Sequence, residues 1–212
     1  MTPLLALFDV DGTLFLTDDP LAGLALKQTL ADGYGVELPN DAIGRVDHQG
    51  QTSLRIGRLV LAAAGVDDPD GLSDWCHRFA ERYLELVADA DTSAWQAAPD
   101  AEPALERLAA AGVRLALLTG NPESIAWARM ERLGLARFFP RGQGAFGCEA
   151  ESREELIALA RRRAGSWPAS STVEVGDTPR DASTAQAAGI RSIIVGEEGL
   201  TVDDIQQLLS SA

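Results

Sequence analysis

Two aspartates one residue apart, Asp9 and Asp11, close an apolar run of Leu4-Leu5-Ala6-Leu7-Phe8. So apolar a run reads as a strand with no face for water. Carboxylates at its end are costly unless a cation or a set of hydrogen bonds meets them. The Gly12-Thr13 that follows is turn chemistry: glycine takes backbone conformations that other residues resist, and Thr13 adds a hydroxyl. A strand end, an acid pair and a tight turn make a place to handle a metal ion and a phosphate.

Three later segments supply matching chemistry. Val175-Gly176-Asp177-Thr178-Pro179-Arg180-Asp181 sends two more acids from the end of an apolar run into a helix start, four positions apart, so that both can face one site. With Asp9 and Asp11, they form an all-oxygen donor set of the kind Mg²⁺ takes, usually through one or two carboxylates and retained water. Leu117-Leu118-Thr119-Gly120-Asn121-Pro122 places a hydroxyl, a glycine and a helix start at another strand end. Arg153 opens a helix among Glu149, Glu151, Glu154 and Glu155. A cation in a first turn opposes the helix dipole. It is either part of a solvated charged face or turned inward toward a phosphate oxygen.

The elements that must position these residues are legible as alternating patterns. Strands are predicted over 4–8, 113–119, 145–148, 172–176 and 191–195, continuous in apolar character as parallel strands covered on both faces are. Helical patterns lie between them at 101–111, 122–133, 153–164, 179–188 and 202–209. Strand alternating with helix predicts an α/β fold with a Rossmann-like parallel sheet. Asn121 and Thr178 precede prolines and read as helix caps, and Ser152 with Glu155 reads as a capping box. Helix starts directly after strands present free N–H groups to an anion.

Residues 16–95 break this rhythm with helical patterns at 22–30, 53–64 and 70–88 and no strand. In the last pattern Trp75, Phe79, Tyr83 and Val87 recur every four residues, a core-packing stripe. The expected organisation is a catalytic core of residues 1–15 and 96–212 with a helical cap, 16–95, inserted after the first strand. Hinges are expected near 16–19 and 95–99.

Bulk properties narrow the partners. The 212 residues carry a net charge of −14, and Lys27 is the only lysine. So acidic a chain is a poor match for nucleic acid or an anionic membrane, and an anionic ligand would have to be drawn by the site itself. Cys76 and Cys148 stand far apart in no metal-ligand spacing, so reduced thiols and a cytoplasmic setting are expected. The first apolar run has no basic flank and is too short for a signal or a membrane span.

Asp9-x-Asp11-Gly-Thr, Thr119-Gly120, the basic Arg153 and Gly176-Asp177-x-x-x-Asp181 occur in the order and spacing of the haloacid dehalogenase superfamily of phosphohydrolases. The chain resembles that superfamily along its whole length, most closely its phosphoglycolate-phosphatase-like branch, and residues 16–95 look like its cap domain. The resemblance implies that Asp9 is a nucleophile forming an aspartyl-phosphate and that Asp11 is the general acid and base. It implies Mg²⁺ held by Asp9, Asp177 and the backbone carbonyl of Asp11, with Asp181 nearby, and a phosphoryl group held by Thr13, Thr119, Gly120, Asn121 and Arg153. Many members have lysine where this chain has Arg153, which keeps the charge and adds a planar fork.

The polar loop 44–53 would reach the tail of a small phosphorylated metabolite, through Arg45, His48, Gln51 and Thr52. A monomer or small homo-oligomer is expected. The same motifs would serve a phosphomutase resembling β-phosphoglucomutase, which returns the phosphoryl group to the substrate. A non-catalytic phospho-accepting receiver shares the acidic cluster and Mg²⁺, but needs neither a large lid nor an acid at Asp11. A dehalogenase would not need Asp11 or the metal acids, and phosphonate-cleaving relatives lack an acid at that position and use a cap lysine.

Overall fold

The computed structural model describes residues 3–36, 47–68 and 70–210. Five strands, β1 (Leu5–Phe8), β2 (Arg114–Thr119), β3 (Ala145–Phe146), β4 (Thr172–Gly176) and β5 (Arg191–Ile194), form one sheet. All pair in parallel, in the order β3-β2-β1-β4-β5. The expected Rossmann-like sheet is therefore present, with each strand at its predicted place.

The strands are apolar on both sides because both sides are covered. Leu4, Ala6 and Phe8 share one core with helices α4 (Ala101–Ala110), α5 (Glu123–Arg132) and α8 (Val202–Ser210). Leu5 and Leu7 point the other way, into a core with α6 (Arg153–Arg163) and α7 (Pro179–Ala187). The alternation follows the two-residue repeat of a strand. Each large apolar side chain buried this way contributes about 1.5–3 kcal/mol.

The order of connection fixes where a ligand can sit. From central β1 the chain runs outward to β2 and β3, then returns to the other side for β4 and β5. In open parallel sheets the crevice at such a reversal, beyond the carboxyl ends of the strands, is the usual binding place. Phe8 stands level with Leu117 on β2 and Val175 on β4. Asp9, Thr119 and Asp177 therefore leave the sheet along one edge, two of them flanking the reversal.

Between β1 and α4 the described residues form three helices, α1 (Pro20–Tyr34), α2 (Ser53–Ala63) and α3 (Leu72–Ala88). They build a separate core from Leu26, Leu30, Val60, Leu61, Trp75, Phe79, Tyr83 and Val87, and Ile125 and Ala128 of α5 join it. The four-residue stripe on α3 is thus packing, as its spacing predicts. The two segments joining these helices to the sheet run side by side: Leu16 N–H donates to the Gln96 carbonyl (3.0 Å) and Ala98 N–H to that of Leu14 (3.1 Å). The Phe15 and Trp95 rings meet edge to face across them.

Two expectations are corrected. Cys76 of α3 and Cys148, just past β3, are joined in a disulfide with Cα atoms 5.7 Å apart, where reduced thiols were expected. Their distance in sequence hid a neighbourhood that only the three-dimensional packing creates, where Cys148 lies against the core that contains Cys76. Asn121 does not cap α5, whose first turn has no side-chain cap. Its amide is drawn instead to Asp11 and Thr119. The other two caps form: Thr178, read as a cap, makes a full reciprocal capping box with Asp181, whereas the box read at Ser152 is present only as its cap half, the Ser152 hydroxyl accepting from Glu155 N–H.

Candidate active site

The turn after β1 is wound tightly. The Val10 carbonyl accepts from the N–H groups of Leu14 and Phe15, both at 2.9 Å, and Gly12 sits at a φ of +71°. A Cβ on Gly12 would lie 2.2 Å from Asp177 Oδ2, so glycine is required twice there, for its conformation and for the approach of the Asp177 carboxylate. Thr13 is fully buried, and among the described residues its hydroxyl has no hydrogen-bond partner.

Asp9, Asp177 and Asp181 each bring a carboxylate oxygen to within 4.8 Å of the others. Asp9 is almost wholly buried and accepts from Val10 N–H on Oδ1 (2.7 Å) and, at 3.4 Å, from Arg153 Nη2 on Oδ2. Burial, above all, pushes its carboxyl up to about 8; Asp181 and Asp11 push the same way, and Arg153 opposes them. Asp177 is also raised, chiefly by burial and then by Asp181. Asp181 spends Oδ2 on the N–H and hydroxyl of Thr178 and turns Oδ1 toward Arg153.

Arg153 is turned inward and buried. Its Nη2 lies 2.7 Å from Asp181 Oδ1, 2.9 Å from Glu174 Oε1 and 3.4 Å from Asp9 Oδ2. Burial works against its charge, but Asp9, Asp181 and Glu174 more than offset this and raise its pKa. Glu174, in the middle of β4 and fully buried, is pushed up to about 7, mainly by burial. Sequence reading passed over Glu174. The signal was present: one acid inside Thr-Val-Glu-Val-Gly, a strand with no face for water.

Asp11 stands apart from these acids. Its side chain is 52% exposed, with Oδ1 accepting from Arg129 Nη1 (2.6 Å) and Oδ2 from Asn121 Nδ2. Thr119 is buried, and its hydroxyl accepts from the N–H and the side-chain amide of Asn121, at 3.2 and 3.1 Å. Arg129, on the inner face of α5, was not singled out from sequence. Its signal was a cation four residues after Ile125 on a stripe that should be apolar.

The start of α2 closes directly over the strand ends. Ser53 gives both its N–H (2.8 Å) and its hydroxyl (2.9 Å) to the Gly120 carbonyl, and Leu54 N–H donates to that of Gly147 (3.0 Å). A Cβ on Gly120 would lie 2.0 Å from the Gln51 carbonyl oxygen, so only glycine lets the loop seat here. Arg180 at the start of α7 donates to the Gln49 carbonyl and to Asp47, and Arg58 pairs with Glu151. Of the expected ligand contacts in this loop, Arg45 lies outside the described residues and His48 is exposed. Gln51 packs its carbonyl beside Gly120. Thr52 is buried with its hydroxyl committed to the Arg55 N–H and the Glu151 carbonyl, a structural duty instead of a ligand contact.

Three carboxyl groups, of Asp9, Asp181 and Glu174, thus surround the guanidinium of Arg153, and Asp177 adds a fourth acid beside Asp9 and Asp181. The excess of negative charge, the raised carboxyls of Asp9 and Asp177 and the all-oxygen donor set fit a divalent hard cation. Among the described residues, no helix is long and apolar enough to cross a membrane.

Comparison with known proteins agrees with this geometry. The family model of haloacid dehalogenase-like hydrolases matches residues 4–189. The phosphoglycolate phosphatase of Rhodospirillum rubrum is 33% identical over 198 residues, covering 91% of this chain and 79% of that protein. That of Caulobacter vibrioides is 28% identical, covering 95% and 82%. Among solved structures, CbbY from Rhodobacter sphaeroides in complex with phosphate superposes with a TM-score of 0.68 at 22% identity, over 93% of this chain and 88% of that one; this likeness speaks to the fold alone. The chain belongs to the haloacid dehalogenase-like hydrolases, in their phosphoglycolate-phosphatase-like branch, and is a phosphatase-type enzyme.

Proposed function

We propose that this enzyme is a Mg²⁺-dependent phosphatase that hydrolyses a small phosphate monoester through an aspartyl-phosphate on Asp9. The observation that carries the reading is the meeting of Asp9, Asp177 and Asp181 at one sheet edge, with Arg153 behind them and Asp11 beside them. Asp9, Asp177 and the Asp11 carbonyl would hold the ion, with Asp181 behind them. When bound, Mg²⁺ would neutralise charge on the phosphoryl oxygens and keep the Asp9 carboxylate ionised.

In the first step an Asp9 carboxylate oxygen bonds to phosphorus as the bond from phosphorus to the ester oxygen breaks. Asp11 gives its proton to that departing oxygen, since an alkoxide leaves poorly; such transfers contribute about 10²–10⁴-fold. Asp11, now a carboxylate, takes a proton from water as that water attacks phosphorus and releases phosphate and Asp9. Arg153, the Thr119 hydroxyl, whose oxygen accepts from Asn121 N–H, and the Gly120 N–H supply positive potential where phosphoryl charge accumulates. The loop at 49–54, seated on Gly120 and Gly147, would shield the intermediate from bulk water.

The names of the relatives make phosphoglycolate the first substrate to assay, and the cytoplasm the compartment proposed for such a metabolite. The test is a panel of phosphate monoesters, phosphoglycolate included, with Mg²⁺ and with EDTA, on wild type and Asp9→Asn. Turnover is expected only with Mg²⁺ and only in the wild type. Full activity in EDTA, or in Asp9→Asn, would refute the reading.

A further inference from the structure

Arg129 is a cation buried to 2% exposure in the middle of α5, outside every motif read from the sequence. Its guanidinium lies between two aromatic faces, 4.8 Å from the Phe15 ring centre and 5.6 Å from that of Tyr83. Its three nitrogens make three different contacts. Nη1 donates to Asp11 Oδ1 (2.6 Å), Nη2 to Asp19 Oδ2 (2.9 Å) and Nε to the Tyr83 hydroxyl (3.4 Å). The Tyr83 hydroxyl donates in turn to Asp19 Oδ2 (2.6 Å), and Asp19 Oδ1 caps α1 through Leu21 N–H. Burial pushes the Tyr83 hydroxyl above the ordinary phenol range, so it remains a donor at any working pH.

Asp19 has a side chain as buried as that of Arg129 and already balances its charge. The second fork of the guanidinium is nevertheless spent on Asp11, whose side chain is half exposed and could turn freely into solvent. A fixed planar fork sets direction as well as charge. One fork therefore ties the residue at the mouth of the site to the first turn of α1 and to α3.

We propose that Arg129 is a positioning residue: it orients the Asp11 carboxyl for proton transfer, and through Asp19 and Tyr83 it makes that orientation depend on the seating of α1 and α3. This rests on the acid–base role given to Asp11 above. Asn121, on the other Asp11 oxygen, completes the clamp. An Asp11 held on both oxygens needs no search for its reactive geometry, and misplacement of a reacting group by about 1 Å can cost on the order of 10²-fold in rate.

The test compares an alkyl phosphate, whose leaving oxygen needs a proton, with p-nitrophenyl phosphate, whose leaving group hardly does. Arg129→Met should lower kcat for the alkyl ester by on the order of 10²-fold, with a much smaller loss on the aryl ester and little change in KM. Arg129→Lys should recover part of that loss. In an Asp11→Asn background Arg129→Met should cost nothing further on the alkyl ester. Tyr83→Phe, which keeps the ring and removes only the hydroxyl, should shift the same ratio in the same direction by a few-fold. It carries the test should Arg129→Met fail to fold. Equal losses on both esters in Arg129→Met or in Tyr83→Phe, or an undiminished effect in the Asp11→Asn background, would overturn the proposal while leaving Asp11 in its role. Equal losses for Asp11→Asn alone would overturn both.

Discussion

Breaking the Cys76–Cys148 bond should cost this protein a large share of its stability. The two cysteines are 72 positions apart, and the bond ties α3 to the segment after β3. In the chain-entropy account, closing a loop of that size in the unfolded state is worth about 4 kcal/mol at 25 °C, although measured values run from about 0 to 5. For a chain of about 200 residues each kcal/mol moves the melting temperature by about 2–4 °C, so a loss of roughly 10 °C is expected. Cys148→Ser is the cleaner perturbation. Cys148 is only half-buried, whereas Cys76 lies fully inside the α1–α3 core and as a free thiol would still pack there as a small hydrophobe. Thermal and urea unfolding of wild type, with and without a phosphine reductant, and of Cys148→Ser would measure the effect. Thiol titration of the unreduced native protein should find no free cysteine. Reductant should lower the midpoint of the wild type to that of the variant and leave the variant unmoved. If reduced wild type and Cys148→Ser both melt with the untreated protein, the bond does not form in solution, and the expectation of reduced thiols stands.

Four further outcomes follow from the contacts of the acidic site. Gly12→Ala should abolish Mg²⁺ binding measured by calorimetry while the circular dichroism spectrum is kept, because the new Cβ would occupy the place of the Asp177 carboxylate; unchanged binding would refute the packing argument. Mg²⁺ should raise the melting temperature, by about 2.7 kcal/mol of added stability at a hundred times its dissociation constant, and Asp177→Asn should remove the effect. Burial gives metal-free Asp9 a carboxyl at about 8, so the folded state holds its proton more tightly than the unfolded chain; metal-free stability should fall as pH rises from about 4 through about 8, and Mg²⁺ should bind more tightly at pH 8.5 than at 6.5. Glu174→Leu should destabilise by about 1–3 kcal/mol in urea unfolding, with Glu174→Gln milder, since it keeps an acceptor for Arg153 Nη2; equal midpoints for Leu and wild type would show that Asp9 and Asp181 suffice.

The sheet and most of the acidic cluster were legible because both are local in sequence. A strand buried on two faces is written as an unbroken apolar run, and residues at its carboxyl end reach the sheet edge wherever that strand sits. Asp9, Thr119 and Asp177 needed only the premise that their strands are parallel and adjacent. Ser152 and Thr178 were readable as caps for a similar reason, since a cap bonds within three residues of itself. Asn121 looked the same, and failed because Asp11, 110 positions away, offers its amide a charged partner.

The contacts that escaped share a different property: each is defined by what lies opposite a residue in space. Thr52 has the type and loop position of a ligand contact, yet its hydroxyl goes to α2 and to the Glu151 carbonyl, a partner 99 positions on. Glu174 and Arg153 are 21 positions apart, and each alone is an anomaly, an acid inside a strand and a cation at a helix start. Arg129 is a third, a charge on a buried helix face. A charge buried singly is too costly to keep, so each anomaly obliges a partner, and the cheapest is another anomaly of opposite sign. Pairing Arg153 with Glu174 by that rule needs only the knowledge that Glu174 stands level with Leu7, on the side of the sheet where α6 lies. The same rule sends Arg129 in search of an acid near the first turn of the fold, and of the acids there it meets Asp11 and Asp19. The catalytic proposal for Asp11 and the positioning proposal for Arg129 therefore spring from one electrostatic requirement. The two-ester comparison of Arg129→Met with Asp11→Asn asks whether that requirement was met for stability alone or for chemistry as well.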